Sequence, residues 1–166
     1  MNYWILQANT EYDIEKWLRD ITPPEGESLP DCWHISRFFK GQVKPGEDIA
    51  FIWKPKGSSQ IRGIYAKAKV VSRPDKCPLE DKEADYCRSQ KGKKQMEKLR
   101  KLPGQLAVTY THTSLYLDKP LLSGAIEEVS ELRGLTILKK GGACSRGIHK
   151  VEPGQGRIIE SLLCRA

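Results

Sequence analysis

The 166-residue sequence predicts an α+β fold in which a strongly bent mixed β-sheet, or a small β-barrel, carries peripheral α-helices. Aromatic and β-branched runs typical of strands recur along the chain, and only a few helical patterns separate them. No strand–helix–strand rhythm continues long enough to indicate a doubly wound parallel sheet. The length fits one domain over residues 1–166 with its own hydrophobic core.

The N-terminal residues predict a strand followed by a helix. Tyr3–Ala8 is the kind of aromatic and aliphatic run found in buried strands. The helix is expected to begin near Glu11, with Thr10 and Asp13 in the spacing of a capping box. Its buried stripe is expected at the i, i+3, i+4 and i+7 positions Ile14, Trp17, Leu18 and Ile21.

Two paired strands are predicted next. The tight turn Lys44–Asp48 leads into a strand over Ile49–Lys54. Residues Ile61–Val71 alternate like a long half-buried strand, which should return beside the first as a hairpin. One face of this second strand is expected to carry Ile64, Ala66, Ala68 and Val70, and the other Tyr65, Lys67 and Lys69.

A charged helical insertion is predicted at about residues 78–103. An acidic piece precedes a basic one, and the composition is too polar to supply much core. The basic piece contains Lys91, Lys93, Lys94, Lys98, Arg100 and Lys101.

The last third of the chain predicts four more elements. A long strand rich in Thr, Val and Tyr is expected over Gln105–Leu117, and a short helix near Ala125–Leu132. Another strand is expected at Leu135–Leu138. A final amphipathic helix should begin at Pro153, a residue favoured in the first turn of a helix, and continue to Leu163.

The charge balance favours a polyanionic partner. Lys and Arg total 28 and Asp and Glu total 21, so the formal net charge is +7. A nucleic acid is the obvious candidate, although charge alone fits a basic domain without such a role equally well. No apolar run approaches the roughly 20 residues of a membrane helix, and the N-terminus does not resemble a targeting peptide. We therefore expect a cytoplasmic, intracellular location and no membrane partner.

The five cysteines predict reduced thiols. Their number is odd and no pair has CxxC spacing, so neither a disulfide framework nor a zinc site is expected. They are Cys32, Cys77, Cys87, Cys144 and Cys164.

No pattern predicts a catalytic site. His34, His112 and His149 lie outside any recognisable nucleophile or metal motif, and Gly141-Gly142 is not part of a phosphate-binding loop. An enzyme such as a hydrolase of small substrates has no motif to support it. We therefore expect a binding domain that is not an enzyme and that needs no cofactor or metal.

Two of the four tryptophans are candidate walls of a base-binding pocket. Trp4 and Trp17 follow apolar patterns and are expected in the core. Trp33 lies in a polar segment, and Trp53 ends its strand before a loop rich in Lys and Gly. Aromatic side chains at such edges can stack on a base, worth about 1–3 kcal/mol per base. The alternative, that both indoles cover the ends of the barrel, is slightly favoured by the pattern alone.

A flipped base also needs polar groups for its Watson–Crick edge and positive charge for its phosphates. Asn9 and Ser36 offer compact donors and acceptors, although they could instead cap a helix and form a turn. The candidate phosphate contacts, each of which could also be an ordinary surface residue, are Arg37, Lys40, Lys54, Lys56, Arg146 and Lys150.

Several segments, in order along the chain, resemble the EVE domain family, a PUA-like group related to the YTH domains. They are YWILQAN, CWHISRF, KPGEDIAFIW, RGIYAKAKVVSRP and a late glycine-rich loop before a C-terminal helix. The likeness covers most of the chain and is best up to Pro74. It implies a PUA-like bent barrel with helices packed around it. It also implies a pocket for a modified base such as 5-methylcytosine, 5-hydroxymethylcytosine or N6-methyladenine.

The resemblance implies that Asn9, Trp33, Ser36 and Trp53 form this pocket, with residues 142–146 as one rim. It further implies a specificity module of a modification-dependent restriction system, which flips the base while a fused or associated nuclease or NTPase acts. DNA is favoured as the partner, and an RNA-binding PUA-like protein that reads a methylated base is the alternative. The sequence departs from the family pattern in its long charged insertion and in its late loop, GGACSRGIHKV.

Overall fold

A computed structural model describes residues 1–8, 10–21, 31–35, 37–55, 61–74, 83–101, 105–138 and 147–165. At residues 31, 34, 83, 84, 96, 99, 100 and 105–114 the structure describes the backbone only. The strands of the described residues are β1 Tyr3–Gln7, β2 Asp31–His34, β3 Ile49–Lys54, β4 Gly63–Val70, β5 Gln105–Leu115, β6 Leu121–Leu122 and β7 Ile148–Val151. The helices are α1 Ile14–Ile21, α2 Gln90–Arg100, α3 Ser123–Glu128 and α4 Pro153–Leu163.

The strands form one mixed sheet, as predicted. Its order is β2-β5-β4-β3-β1-β7, and β6 pairs with β4 beside this path. β1 and β3 are parallel, whereas the other pairs are antiparallel. Within the described residues the edge strands β2 and β7 share no ladder, so the sheet is open and not a closed barrel.

The parallel strands β1 and β3 are buried on both faces, which explains their continuous apolar sequences. The first core lies on the α1 side and includes Trp4, Leu6, Ile14, Trp17, Leu18, Ala50 and Ile52. The second core lies on the α3 and α4 side and includes Tyr3, Ile5, Phe51, Trp53, Ile126, Ile159 and Leu163. The predicted core positions of Trp4 and Trp17 are confirmed, since their exposed fractions are 0% and 2%.

A β-bulge divides β4 between the two cores. Ile52 pairs with Ala66 but the next residue, Trp53, pairs with Ile64, so Tyr65 is an extra residue in the ladder. Ile64 therefore contacts the second core while Ala66 contacts the first. The predicted single face from Ile64 to Val70 is wrong at this point, because an inserted residue reverses the alternation.

A buried carboxylate organises the N-terminus and the turn before β3. Asp48 has no exposed surface. Its carboxylate accepts hydrogen bonds from Trp4 Nε1 at 2.9 Å, Lys44 N at 2.8 Å and Asn2 N at 2.7 Å. It thereby connects the start of β1, an indole of the first core and the turn, which Gly46 completes with a φ of +81°.

Helix α4 is attached to the sheet through Tyr3. The Tyr3 hydroxyl donates to Glu160 Oε2 at 2.7 Å, and Lys67 forms an ion pair with the same carboxylate. Burial and the neighbouring carboxylate raise the pKa of Tyr3 to about 12. A Cβ at Gly156 would lie 2.1 Å from Tyr3 Cγ, so only glycine lets the helix approach this ring.

Several predicted elements are confirmed and two need correction. Helix α2 and a 3-10 turn at Glu83–Tyr86 lie in the predicted insertion, of which the structure describes residues 83–101. The strand predicted at Leu135–Leu138 is wrong: Thr136–Leu138 is a 3-10 turn that buries Ile137 and Leu138. Periodicity cannot distinguish a short buried run of this kind from a strand.

The start of α1 also differs from its prediction. The helix begins at Ile14, and Asp13 is its cap, because Asp13 Oδ1 accepts a hydrogen bond from Lys16 N at 3.2 Å. The predicted stripe is otherwise confirmed, since Ile14, Trp17 and Leu18 are buried.

The prediction of reduced cysteines is wrong at Cys32. Cys32 is disulfide-bonded, whereas Cys87 and Cys164 carry free thiols. Spacing along a sequence says little about cysteines that the fold brings together from distant segments.

We expect Asp48→Ala to lower the free energy of unfolding by about 3–5 kcal/mol, because it leaves several buried donors without an acceptor. Urea denaturation followed by tryptophan fluorescence measures this change. Glu47→Ala is the matched control, since Glu47 is an exposed neighbour whose ion pair with the N-terminus spans 3.6 Å. Equal stabilities of the two variants would contradict the role assigned to Asp48.

Candidate nucleic-acid interface

The candidate site lies at the end of the sheet where β1 finishes. Gln7 N donates to Gly147 O at 2.7 Å, and Ala8 N donates to Trp53 O at 2.9 Å. These bonds bring the end of β1 against the residue that precedes β7 and against the end of β3. The predicted site residues Asn9, Ser36, Lys56 and Arg146 lie outside the described residues.

Trp33 is held in one orientation at this end of the sheet. Its Nε1 donates to Gly147 O at 3.1 Å, and its ring packs edge-on against Trp17 at a centroid distance of 5.9 Å. The indole is partly exposed and packs against the first core. Contacts on its edge and on one side thus fix the ring while part of it still faces solvent.

The carbonyl of Gly147 joins the two edges of the sheet. It accepts from Gln7 N, next to β7, and from the Trp33 indole of β2. Gly147 has a φ of +63°, and a Cβ there would lie 3.1 Å from Trp33 Nε1. Both the left-handed backbone and the close indole favour glycine at this position.

Trp53 does not join Trp33 in a pocket. Its exposed fraction is 1%, and it belongs to the second core, on the opposite face of the sheet from the core that Trp33 contacts. The bulge opposite Ile52 and Trp53 locally alters the ladder, and the indole remains covered. The expectation that Trp53 offers a ring face to a base is therefore corrected, and Trp53 is a core residue.

The predicted phosphate contacts fall into two groups. Lys54 forms an ion pair with Glu15 and lies 5.1 Å from the centre of the Tyr65 ring, so its charge is largely neutralised. Arg37, Lys40 and Lys150 are exposed. These three remain placed to meet a polyanion.

Lys150 is linked through Gln42 to the segment that carries Arg37, the exposed aromatic residue Phe38 and Lys40. Lys150 Nζ donates to Gln42 Oε1 at 2.7 Å, and Gln42 Nε2 donates to Phe38 O at 3.1 Å. We call the set of Arg37, Phe38, Lys40 and Lys150 the basic aromatic patch.

Phe38 is the residue that sequence reasoning missed. Its exposed fraction is 75%, and its ring meets Phe39 edge-on at 5.1 Å, while Phe39 packs against Trp4 at 5.4 Å. Of two adjacent phenylalanines, one is therefore anchored in the protein and the other projects from it. The available signal was the order Arg37-Phe38-Phe39-Lys40, in which aromatic residues stand between basic ones.

His149 is a buried titratable group at the same end of the sheet. Its exposed fraction is 7%, and Nε2 lies 3.3 Å from Gln7 Oε1. Burial lowers the pKa of His149, so the imidazole is neutral at pH 7. A neutral imidazole here stabilises the strand end without adding to the positive charge of the surface.

The described part of the chain contains no cluster of three His, Cys, Asp or Glu side chains that could hold a metal ion. Nor does any of its helices have the length and apolar character needed to cross a bilayer.

Neither a protein-family model nor a curated protein matches the chain. Nine solved chains match it in structure. A protein from Pseudomonas syringae has 16% identity and a TM-score of 0.61, covering 97% of this chain and 99% of its own. Human THYN1, solved in complex with DNA that contains 5-methylcytosine, has 14% identity and a TM-score of 0.54, covering 98% of each chain. The DUF55 domain of human thymocyte nuclear protein 1 has 13% identity and a TM-score of 0.53, covering 97% of this chain and 98% of its own.

This likeness extends over nearly the whole chain and establishes a shared fold. The predicted PUA-like architecture, a bent mixed sheet with peripheral helices, is confirmed in its open-sheet form. The fold is also the one implied by the resemblance to EVE domains.

We expect stability to fall as the pH is lowered below about 6.5, the ordinary pKa of histidine. The unfolded chain binds a proton at His149 in this range while the folded chain resists it, so protonation favours unfolding. His149→Gln keeps a polar neighbour for Gln7 but removes the titration. Free energies of unfolding measured from pH 7.5 to 5.5 should therefore fall less steeply for the variant. Identical pH slopes would show that His149 is not responsible.

Proposed function

We propose that this chain is a DNA-binding domain that recognises a modified base, with 5-methylcytosine as the first candidate. The observation that carries the proposal is the whole-chain likeness to human THYN1, whose structure was solved with DNA containing 5-methylcytosine. Support from the chain itself comes from the fixed, partly exposed indole of Trp33 and from the exposed cations of the basic aromatic patch.

Trp33 is suited to stack on a base that has left the duplex. Its ring is already oriented by Gly147 O and Trp17, so binding costs little loss of side-chain freedom. Stacking contributes about 1–3 kcal/mol per base, which can offset much of the few kcal/mol needed to unstack and unpair the base. We therefore propose base flipping as the mode of recognition.

A methyl group adds little affinity by burial alone, about 0.8 kcal/mol. Preference for a methylated base must therefore come partly from shape, because an unmodified base leaves a small void where the methyl group would pack. A rigid wall makes such discrimination possible. The hydrogen bond to Gly147 O is what keeps the Trp33 wall rigid in this proposal.

The basic aromatic patch supplies the contact with the DNA backbone. Arg37, Lys40 and Lys150 are exposed cations, and phosphate contacts of this kind position a duplex without reading its sequence. Phe38 adds an exposed ring that can pack against sugars or bases beside the flipped nucleotide.

We propose a reader role without catalysis. Any cutting of the bound nucleic acid would then belong to a nuclease or NTPase domain fused to this chain or associated with it, as in modification-dependent restriction systems. Such a role places the protein where DNA is found inside the cell.

We expect Trp33→Ala to reduce the affinity for a duplex with one 5-methylcytosine by about 5- to 150-fold, the equivalent of one lost base stack. The affinity for the unmodified duplex should change much less. Fluorescence anisotropy with matched duplexes carrying 5-methylcytosine, 5-hydroxymethylcytosine, N6-methyladenine or no mark measures the preference. A single-stranded RNA with the same methylated base tests the RNA alternative.

Two variants serve as controls for this experiment. Trp33→Phe keeps an aromatic face but loses the donor to Gly147 O, so it should retain part of the preference. Trp53→Phe alters the second core and should lower stability while the preference remains. A wild type that binds all duplexes equally would overturn the proposed recognition of a modified base.

We expect Phe38→Ala to weaken binding of modified and unmodified duplexes alike, by about 3- to 10-fold, without loss of stability. The reason is that an exposed ring contributes contact area to the complex but little to the folded core. Val71→Ala, which truncates another exposed apolar side chain, should leave binding unchanged. Equal affinities of Phe38→Ala and the wild type would remove Phe38 from the interface.

A further inference from the structure

The charged insertion carries a row of lysines along one side of α2. Lys91, Lys94 and Lys98 of α2 and Lys101, the turn residue directly after it, are all exposed, and they are spaced i, i+3, i+7 and i+10. At 3.6 residues per turn these positions fall within an arc of about 80° and extend for about 15 Å. We call these four residues the lysine stripe.

We propose that the lysine stripe is a second contact for the DNA backbone, separate from Trp33 and from the basic aromatic patch. The identity of the polyanion as DNA rests on the proposed function. The positive row itself is a property of α2, whose 11 residues QKGKKQMEKLR include five basic residues and one acidic residue.

The side of α2 around Gly92 is fixed to the body of the domain. A Cβ at Gly92 would lie 2.9 Å from Glu11 Cβ, and Gly92 N donates to Ser89 Oγ at 3.0 Å. Ser89 Oγ in turn donates to Glu11 Oε2 at 3.1 Å. Gly92 lies about 140° around the helix from the centre of the lysine stripe. The stripe therefore points away from the docked side.

The chain before α2 is fixed by backbone hydrogen bonds. Arg88 N donates to Glu11 O at 2.7 Å, and Asp13 N donates to Tyr86 O at 2.9 Å. Tyr12 and Cys87 form an antiparallel bridge between these bonds. The insertion is thus held by the segment that links β1 to α1.

A series of aromatic contacts connects the insertion to Trp33. Tyr86 contacts Tyr12, Tyr12 contacts Trp17 and Trp17 contacts Trp33, each at a centroid distance of 5.9 Å. These three steps are shorter together than one turn of B-DNA, about 34 Å. A duplex held at Trp33 is therefore long enough to pass Tyr86, which lies four residues before α2, and this length favours a nucleic acid over an acidic protein as the partner.

The stripe lysines carry charges that the protein leaves available. Within the described residues, no carboxylate forms an ion pair with any of the four, in contrast to Lys54 and Lys67. Neutralising phosphates releases condensed counterions, and each contact contributes about 0.9 to the slope of log K against log salt concentration. The stripe therefore has a measurable signature that differs from that of base recognition.

The test compares the wild type with the variant in which Lys91, Lys94, Lys98 and Lys101 are all replaced by Gln. Its control is the variant in which the exposed residues Lys69, Lys119, Arg157 and Arg165 are replaced by Gln, which removes the same charge elsewhere. Affinities for modified and unmodified duplexes are measured from 50 to 250 mM salt, and thermal melting verifies that all variants are folded.

In the stripe variant we expect the slope of log K against log salt concentration to fall in magnitude by about 2–4. Its affinity at low salt should fall at least tenfold, and equally for both duplexes. The control should lose much less, and the ratio between the duplexes should stay that of the wild type. The proposal would be overturned if the stripe variant kept the wild-type salt slope or lost no more affinity than the control variant. It would also be overturned if only the ratio between the duplexes changed, or if the wild type bound no duplex. A wild type that binds both duplexes equally would overturn base recognition and leave the stripe supported if the slope still falls.

Discussion

The carboxylate of Asp48 is the interaction on which the rest of the structure depends. It is fully buried and is surrounded by donors from the first residues of the chain, from Trp4 and from the turn at Lys44. β1 is parallel to β3 and therefore cannot be aligned with it by a hairpin. Asp48 supplies the missing alignment, because it bonds Asn2 and Trp4 directly and precedes β3. Both cores include residues of these two strands, so their packing follows from this register.

The sequence predicted most of the fold because most elements follow one local rule. The buried strands β1 and β3, the stripe of α1 and the proline-started α4 all appear where their patterns indicate them. The failures lie where tertiary packing overrides local pattern. Leu135–Leu138 is apolar enough for a strand but turns into the second core, and β7 is too short and too close to a glycine-rich stretch to stand out. The bulge at Tyr65 cannot be predicted from either strand alone, because it is a mismatch between two strands.

The candidate site was predictable in its location but not in its composition. Trp33 is partly exposed and Arg37, Lys40 and Lys150 are exposed, whereas Trp53, the other predicted pocket wall, lies in a core. The difference is the sheet face on which each indole falls, and that face is fixed by pairing with other strands. The exposure of Phe38 does not follow from the sequence, because two adjacent phenylalanines suggest that both are buried. In the structure only Phe39 packs against Trp4. Lys54, at the end of β3, is paired with Glu15 of helix α1, a partner that charge counting cannot identify.

The acceptor that joins the sheet edges belongs to the backbone of Gly147 and not to a side chain. The hydrogen bond from Trp33 to this carbonyl tolerates most substitutions at neighbouring positions, because a change of side chain there leaves the backbone carbonyl in place. Residues near Gly147 can therefore change in evolution while the Trp33 indole keeps its orientation. What selection must retain is one glycine and one tryptophan, far apart in the sequence.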